Sequence, residues 1–332
     1  MGQSPRRGAT LIEMLVVIMI LVLLAGVAVP VMRPAMQSRR PREAARAVNV
    51  YFSMARTRAL ELGRPVGVVI EPLSNQPLAA MVLSQFEAAP PYAGETLDCR
   101  MQVMINTTLP SGQVQLTARA VPSGSFNTAL ITAGDFVQFN HQGPLFMVSG
   151  NVADDQQISL LINLREGQQL PFSGAWSALL SYQFFPKAKK SAAAPLQLPA
   201  GMVIDLGFSG IDPDNPGVFT NRFDAGDGTP NFIMFSPNGS LGAVYTTSMI
   251  QVIPGSPPAS PLYFLIGRND KVGDATNPNW QDMNNRWVTI NSQTGMVSTA
   301  PVDVSPNSGN VVPASVTESR WSARNAYSMG GG

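Results

Sequence analysis

The sequence predicts an α+β protein. A long N-terminal hydrophobic helix, kinked near Pro30–Pro41, is expected to pack on an antiparallel β-sandwich or sheet that carries a large β-rich insertion. Three observations lead there. An uncharged run, Met14 to Met32, precedes a stretch of helical periodicity that ends near Leu62. The rest of the chain is a succession of short β-branched and aromatic runs separated by Gly, Pro and Asn clusters. Only 13% of the 332 residues are charged, while Gly (29) and Pro (28) are plentiful; a typical globular chain is about 25% charged.

The N-terminal run comes first. Its nineteen residues are about the length that crosses a ~30 Å hydrocarbon core. Arg6 and Arg7 precede it, and Arg33, Arg39, Arg40 and Arg42 follow it. Residues 1–64 hold ten Arg and three Glu, a net +7, and the remainder carries −6. A basic segment beside an apolar run suits a membrane surface, where each cation near anionic lipid contributes about 1 kcal/mol. Three readings of the run compete. It could be a secretory signal peptide with a small-x-small site at Gly26-Val27-Ala28. It could be a plain anchor, for which the Arg flanks place the C-terminal side in the cytoplasm. The third reading starts from Glu13, the single carboxylate at the head of the run. An acid in a membrane helix costs roughly 2.5–3.5 kcal/mol and is usually functional.

The segment Gly8-Ala9-Thr10-Leu11-Ile12-Glu13 resembles the prepilin peptidase site of type IV pilins and pseudopilins. The resemblance implies removal of a leader, residues 1–8, by cleavage between Gly8 and Ala9, then N-methylation of Ala9. It implies that Glu13 pairs with such an amine on a neighbouring subunit during filament assembly. Pro30 falls where that family often carries a helix-kinking proline. The implied placement is single-pass in the inner membrane, with the C-terminal domain periplasmic. The implied partners are the prepilin peptidase, other pilins or pseudopilins in a helical filament, the inner-membrane assembly platform and membrane lipid.

From the end of the run onward, Pro30, Pro34 and Pro41 predict a kinked or locally melted stretch over residues 30–41, since a proline inside a helix costs about 3 kcal/mol. From Arg42 the helical period returns. Val48, Tyr51, Phe52, Ala55, Ala59 and Leu62 share one face, opposite Arg46, Asn49, Ser53, Arg56 and Thr57. Gly63 and Pro65 stop this amphipathic helix, residues 33–64. Val66–Ile70 then reads as a buried strand.

Several further stretches resemble the GspH/FimT group of minor pseudopilins and minor pilins. They are Arg58-Ala59 with Gly63-Arg64-Pro65-Val66, Leu198-Pro199-Ala200-Gly201-Met202-Val203, Phe232-Ile233-Met234-Phe235-Ser236-Pro237-Asn238-Gly239, and Trp287–Ile290 followed by Thr294-Gly295-Met296-Val297. Between them, residues 73–197 have no counterpart and read as an insertion that enlarges the β layer. Its strand-like runs are Leu78–Leu83, Met101–Ile105, Val114–Thr117, Phe136–Phe139 and Ile158–Ile162. The periplasmic β-rich domain is thus expected over 65–300, with a tail over 301–332 that holds a short helix from Glu318 to Tyr327.

Chemistry-bearing constellations are sparse. The single histidine, His141, sits in a turn-like His-Gln-Gly-Pro and no G-x-S-x-G elbow surrounds any serine. Cys99 is the single cysteine, which excludes an intrachain disulfide and a Cys-rich zinc site, and it reads as a structural thiol. Asp212-Pro213-Asp214-Asn215 and Asp224-Ala225-Gly226-Asp227-Gly228 are oxygen-rich, as Ca²⁺ prefers, but their spacing fits solvated turns better. The Arg cluster at 33–64 could meet nucleic acid through phosphates, a lesser expectation for residues at a membrane or inside a filament. The expected function is non-enzymatic and without a cofactor: a minor pseudopilin of a type II secretion pseudopilus. The alternatives are a minor type IV pilin, serving pilus assembly, adhesion or DNA uptake, and a membrane-anchored periplasmic binding module.

Overall fold

Residues rich in Ala, Leu, Met and Arg favour helix, and the first element, α1, spans Leu11–Leu62. The computed structural model describes residues 11–108, 113–125, 127–142, 145–151, 157–163, 175–211, 230–245, 260–305 and 308–328. Within α1 the side chains of residue 25 and of residues 27–38 lie outside that description. The helical backbone is continuous through Pro30, Pro34 and Pro41, which corrects the expected melting of this stretch. Each proline removes one N–H, yet the turns on either side keep their own i→i−4 bonds.

The strands follow in chain order. They are β1 (Val66–Leu73), β2 (Gln76–Glu87), β3 (Arg100–Thr108), β4 (Gln113–Val121), β5 (Phe136–Phe139), β6 (Leu145–Asn151), β7 (Gln157–Asn163) and β8 (Tyr182–Phe185). Next come β9 (Lys189–Lys190), β10 (Leu196–Gln197), β11 (Met202–Ile211), β12 (Asn231–Phe235), β13 (Leu241–Tyr245), β14 (Leu262–Arg268), β15 (Arg286–Ile290) and β16 (Val297–Pro301). Two short helices end the described chain, α2 (Val316–Ser319) and α3 (Trp321–Ser328).

The first sheet is antiparallel, in the order β13-β12-β1-β2-β11-β14-β15-β16, with β9 and β10 also paired to β2. Its strands alternate between two covered faces. On β14, Leu262, Phe264 and Ile266 point to one core while Tyr263 and Leu265 point to another. The first core is closed by α1 through Ala44, Ala45, Val48, Phe52, Ala55 and Ala59. Phe52 stacks on Phe264 with centroids 5.1 Å apart, a pair worth about 0.5–1.5 kcal/mol beyond its burial. Leu62, expected on this face, is exposed because the last turn runs past the sheet.

On the second face, α2 and α3 cover the β14–β16 side of the sheet. Arg320 is fully buried there; it donates to the Phe208 carbonyl at 2.8 Å and lies over the rings of Tyr263 and Trp287. Nearby, buried Asp205 accepts from Asn279 Nδ2 at 2.9 Å and from the Gly207 amide at 3.1 Å. Burial raises the Asp205 carboxyl to about 6, against the pull of these donors.

The second sheet, in the order β3-β4-β7-β6-β5-β8, does not enlarge the first. It closes on itself. Leu180, just before β8, exchanges both backbone hydrogen bonds with Met101 of β3 at 2.8 Å, and the Ser177 amide donates to the Val103 carbonyl at 2.9 Å. The result is a small barrel with its own interior, filled by Val103, Leu116, Val148, Leu160, Tyr182 and Phe184 among others. Closure removes both edges of the sheet. The expected β-sandwich is therefore corrected: the first sheet packs on α1 through one face and on α2 and α3 over the β14–β16 side of the other, and the second sheet is a barrel. The expected insertion also divides, since β2, β9 and β10 belong to the first sheet and only the strands from β3 to β8 build the barrel.

Candidate functional site

The first fourteen described residues of α1, Leu11–Leu24, are apolar apart from Glu13 and are exposed along their whole length. Met14 to Leu24 are each 47–64% exposed, which is more contiguous apolar surface than a soluble monomer normally carries. Among the described residues, no helix is long and apolar enough to cross a membrane. Glu13 lies in the first turn of α1, where a negative charge is favoured by the helix dipole by about 0.3–1 kcal/mol. Gly8 and Ala9, the expected cleavage and methylation positions, lie outside the described residues. The side chain of Pro30, the expected kink residue, also lies outside them.

The C-terminal half of α1 and the turn that follows it are fastened to the first sheet by three arginines. Arg56 Nε donates to the carbonyls of Gly239 (3.1 Å) and Thr294 (3.0 Å), joining the turn after β12 to the turn after β15. Arg58 and Arg64 both pair with Glu87, at 2.8 and 3.1 Å. Glu87 also accepts from Ser191 Oγ at 2.6 Å. The Ser191 hydroxyl first, and then Arg58 and Arg64, hold the Glu87 carboxyl below the usual carboxylate range. The two ends of α1 thus differ in kind: the C-terminal end is anchored, and Leu11–Leu24 presents exposed apolar surface around one acid.

Several expected positions take their places around this anchor. Arg58, Arg64, Gly239 and Thr294-Gly295, far apart in the chain, meet at the end of α1. Glu87 was not foreseen. A signal was present, since it ends an apolar strand and faces a helix whose last turns are rich in Arg, but its pairing depends on the fold.

The other candidates are not drawn together. Asn140 and His141 both have positive φ (53° and 57°) and form the exposed turn after β5. Cys99 is buried in the barrel and donates to the Ser125 carbonyl at 2.9 Å. Hydrogen bonds from Thr96 and its other neighbours outweigh burial and hold its thiol below the usual range. Among the described residues no group of His, Cys, Asp and Glu is placed to hold a metal ion. The acidic stretches at 212–215 and 224–228 lie outside the described residues.

Residues 3–29 match the family described as the prokaryotic N-terminal methylation motif. The matched segment contains Gly8, Ala9 and Glu13. No curated protein matches the chain. The motif supports a type IV pilin-like protein, processed by a prepilin peptidase and assembled with other pilins.

Proposed function

We propose that the chain is a minor pseudopilin of a type II secretion pseudopilus, a structural and non-enzymatic subunit. In this reading it is held in the inner membrane by the N-terminal half of α1, with its sheet and barrel in the periplasm, until it joins the filament. The observation that carries the reading is the division of α1. Its exposed apolar stretch, Leu11–Leu24, lies within the methylation motif, and its C-terminal end and the turn after it are locked to a folded domain by Arg56, Arg58 and Arg64. The GspH/FimT resemblance of the residues around the anchor supports the same assignment.

The role of Glu13 follows from the dielectric. Moving two opposite charges out of water costs several kcal/mol per ion, and their attraction offsets this only at good geometry. An acid facing the amine of a neighbouring subunit therefore selects one axial register more than it adds stability. Once the partner amine is absent or displaced by a turn, the acid is left buried and unpaired.

Glu13→Leu tests the proposal. The variant chain should be cleaved normally, remain in the membrane fraction and fail to enter a sheared or cross-linked filament, with secretion lost. A membrane-anchored binding module that never polymerises would be indifferent to the change, and wild-type secretion in the variant would overturn the assignment. Restored pilus function instead of restored secretion, on complementing deletion strains of each system, would select the minor type IV pilin.

A further inference from the structure

Arg42 and Arg46 stand one turn apart on α1, and Arg286 opens β15 beside them. Together with Asn49, Val50 and the β16 residues Thr299 to Pro301, they line an open cavity of about 630 Å³. No acid lines it. Among the described residues none of these three arginines forms an ion pair, whereas Arg58 and Arg64 share Glu87 and Lys271 holds Asp282. Burial, and then the charge of Arg42, push the Arg286 pKa down. Three like charges lining one groove with no carboxylate among its described lining residues are electrostatically opposed, and a bound anion would relieve that opposition.

We propose that this groove binds the phosphate of an anionic phospholipid headgroup. Planar guanidiniums match phosphate oxygens in pairs, and the volume lies within the ~300–1,000 Å³ range of small-molecule sites. Val50, Ala300 and Pro301 supply apolar wall for a glycerol backbone. The position on α1 selects lipid over other phosphates. Arg42 lies ten residues after Met32, about 15 Å along a straight helix, and helical side chains lean toward the N-terminus, back toward the headgroups. Arg33, Arg39 and Arg40 intervene in the sequence, so the segment between the apolar run and the groove is rich in positive charge. This inference rests on the reading of α1 as membrane-inserted before assembly.

The test uses the full chain in a neutral detergent, with thermal unfolding followed as ligand is added. Phosphatidylglycerol should raise the midpoint saturably, by roughly 5 °C. Phosphatidylcholine and millimolar glycerophosphate should leave it unchanged. The double variant Arg42→Gln/Arg286→Gln should lose the shift, and Arg46→Gln, exposed and safe for folding, should weaken it. An absent shift, or one that survives in the variants, overturns the proposal. An equal shift with glycerophosphate makes the groove a free-phosphate site, and a larger one with duplex DNA makes it a nucleic-acid site; both overturn the lipid assignment. Membrane insertion is read separately, by carbonate extraction of cells. Extraction of the chain with the lipid shift intact refutes insertion alone, and retention without the shift refutes the groove alone.

Discussion

The carbonyl oxygen of Gly239 occupies the space that a β-carbon on Gly295 would need. The turn after β12 and the turn after β15 touch there backbone to backbone, and Arg56 bonds to both. The three segments lie far apart in the chain, so this contact sets how α1 sits on the sheet.

Gly295→Ala should therefore be costly. Its φ of +65° already disfavours a side chain by about 1–2 kcal/mol, and the clash with Gly239 involves backbone that cannot move aside. A total loss of about 3 kcal/mol or more is expected in urea unfolding. Gly63→Ala is the control: φ is +60° but nothing lies within 4 Å of the added carbon, so about 1 kcal/mol is expected. Equal losses at the two positions would show that the turns separate freely.

Glu87→Gln should weaken the anchor in a pH-dependent way. The native carboxyl titrates below its ordinary value of 4.5. Its contribution is thus present above that pH and is lost as pH falls through the lower native value. The variant should be less stable than the parent at pH 7, and the gap should close below pH 4.5. A gap independent of pH would assign the loss to shape and not to charge.

Asp205 should act in the opposite sense. Its carboxyl titrates near 6 in the folded chain and at 3.8 in the reference state. The folded form therefore holds its proton more tightly, and this contribution is complete below 3.8 and lost as pH rises through about 6. The two values differ by the equivalent of about 3 kcal/mol. Asp205→Asn removes the titration, so the parent's advantage over the variant should shrink between pH 4 and 6. A constant difference across that range would contradict a raised carboxyl.

The barrel should be removable. Glu87 and Lys189 are paired residues at the end of the β2–β9 ladder, so the two ends of the barrel segment already lie side by side. Replacing 88–188 with Asn-Gly, a favoured two-residue hairpin turn, should leave the first sheet and α1 folded with a single cooperative transition. Loss of that transition, or solvent exposure of Trp287 fluorescence, would show that the barrel supports the sheet.

The sequence alone determined the features that depend on local order. The apolar run, the acid at Glu13, the α1 face from Val48 to Ala59 and the Val66 strand are all legible because helix and strand write their periods into a few neighbouring residues. Individual strands of the barrel, β3, β4, β5 and β7, were legible for the same reason, whereas β6 and β8 were not. Tertiary structure decided how these pieces close. Whether six strands stack on a neighbouring sheet or form a barrel turns on one long-range register, Met101 against Leu180. The partner of Arg58 and the meeting of Arg42 with Arg286 likewise join residues whose separation in sequence carries no periodic signal. Such pairings cost loop entropy and offer no local reward, so only the assembled fold selects them.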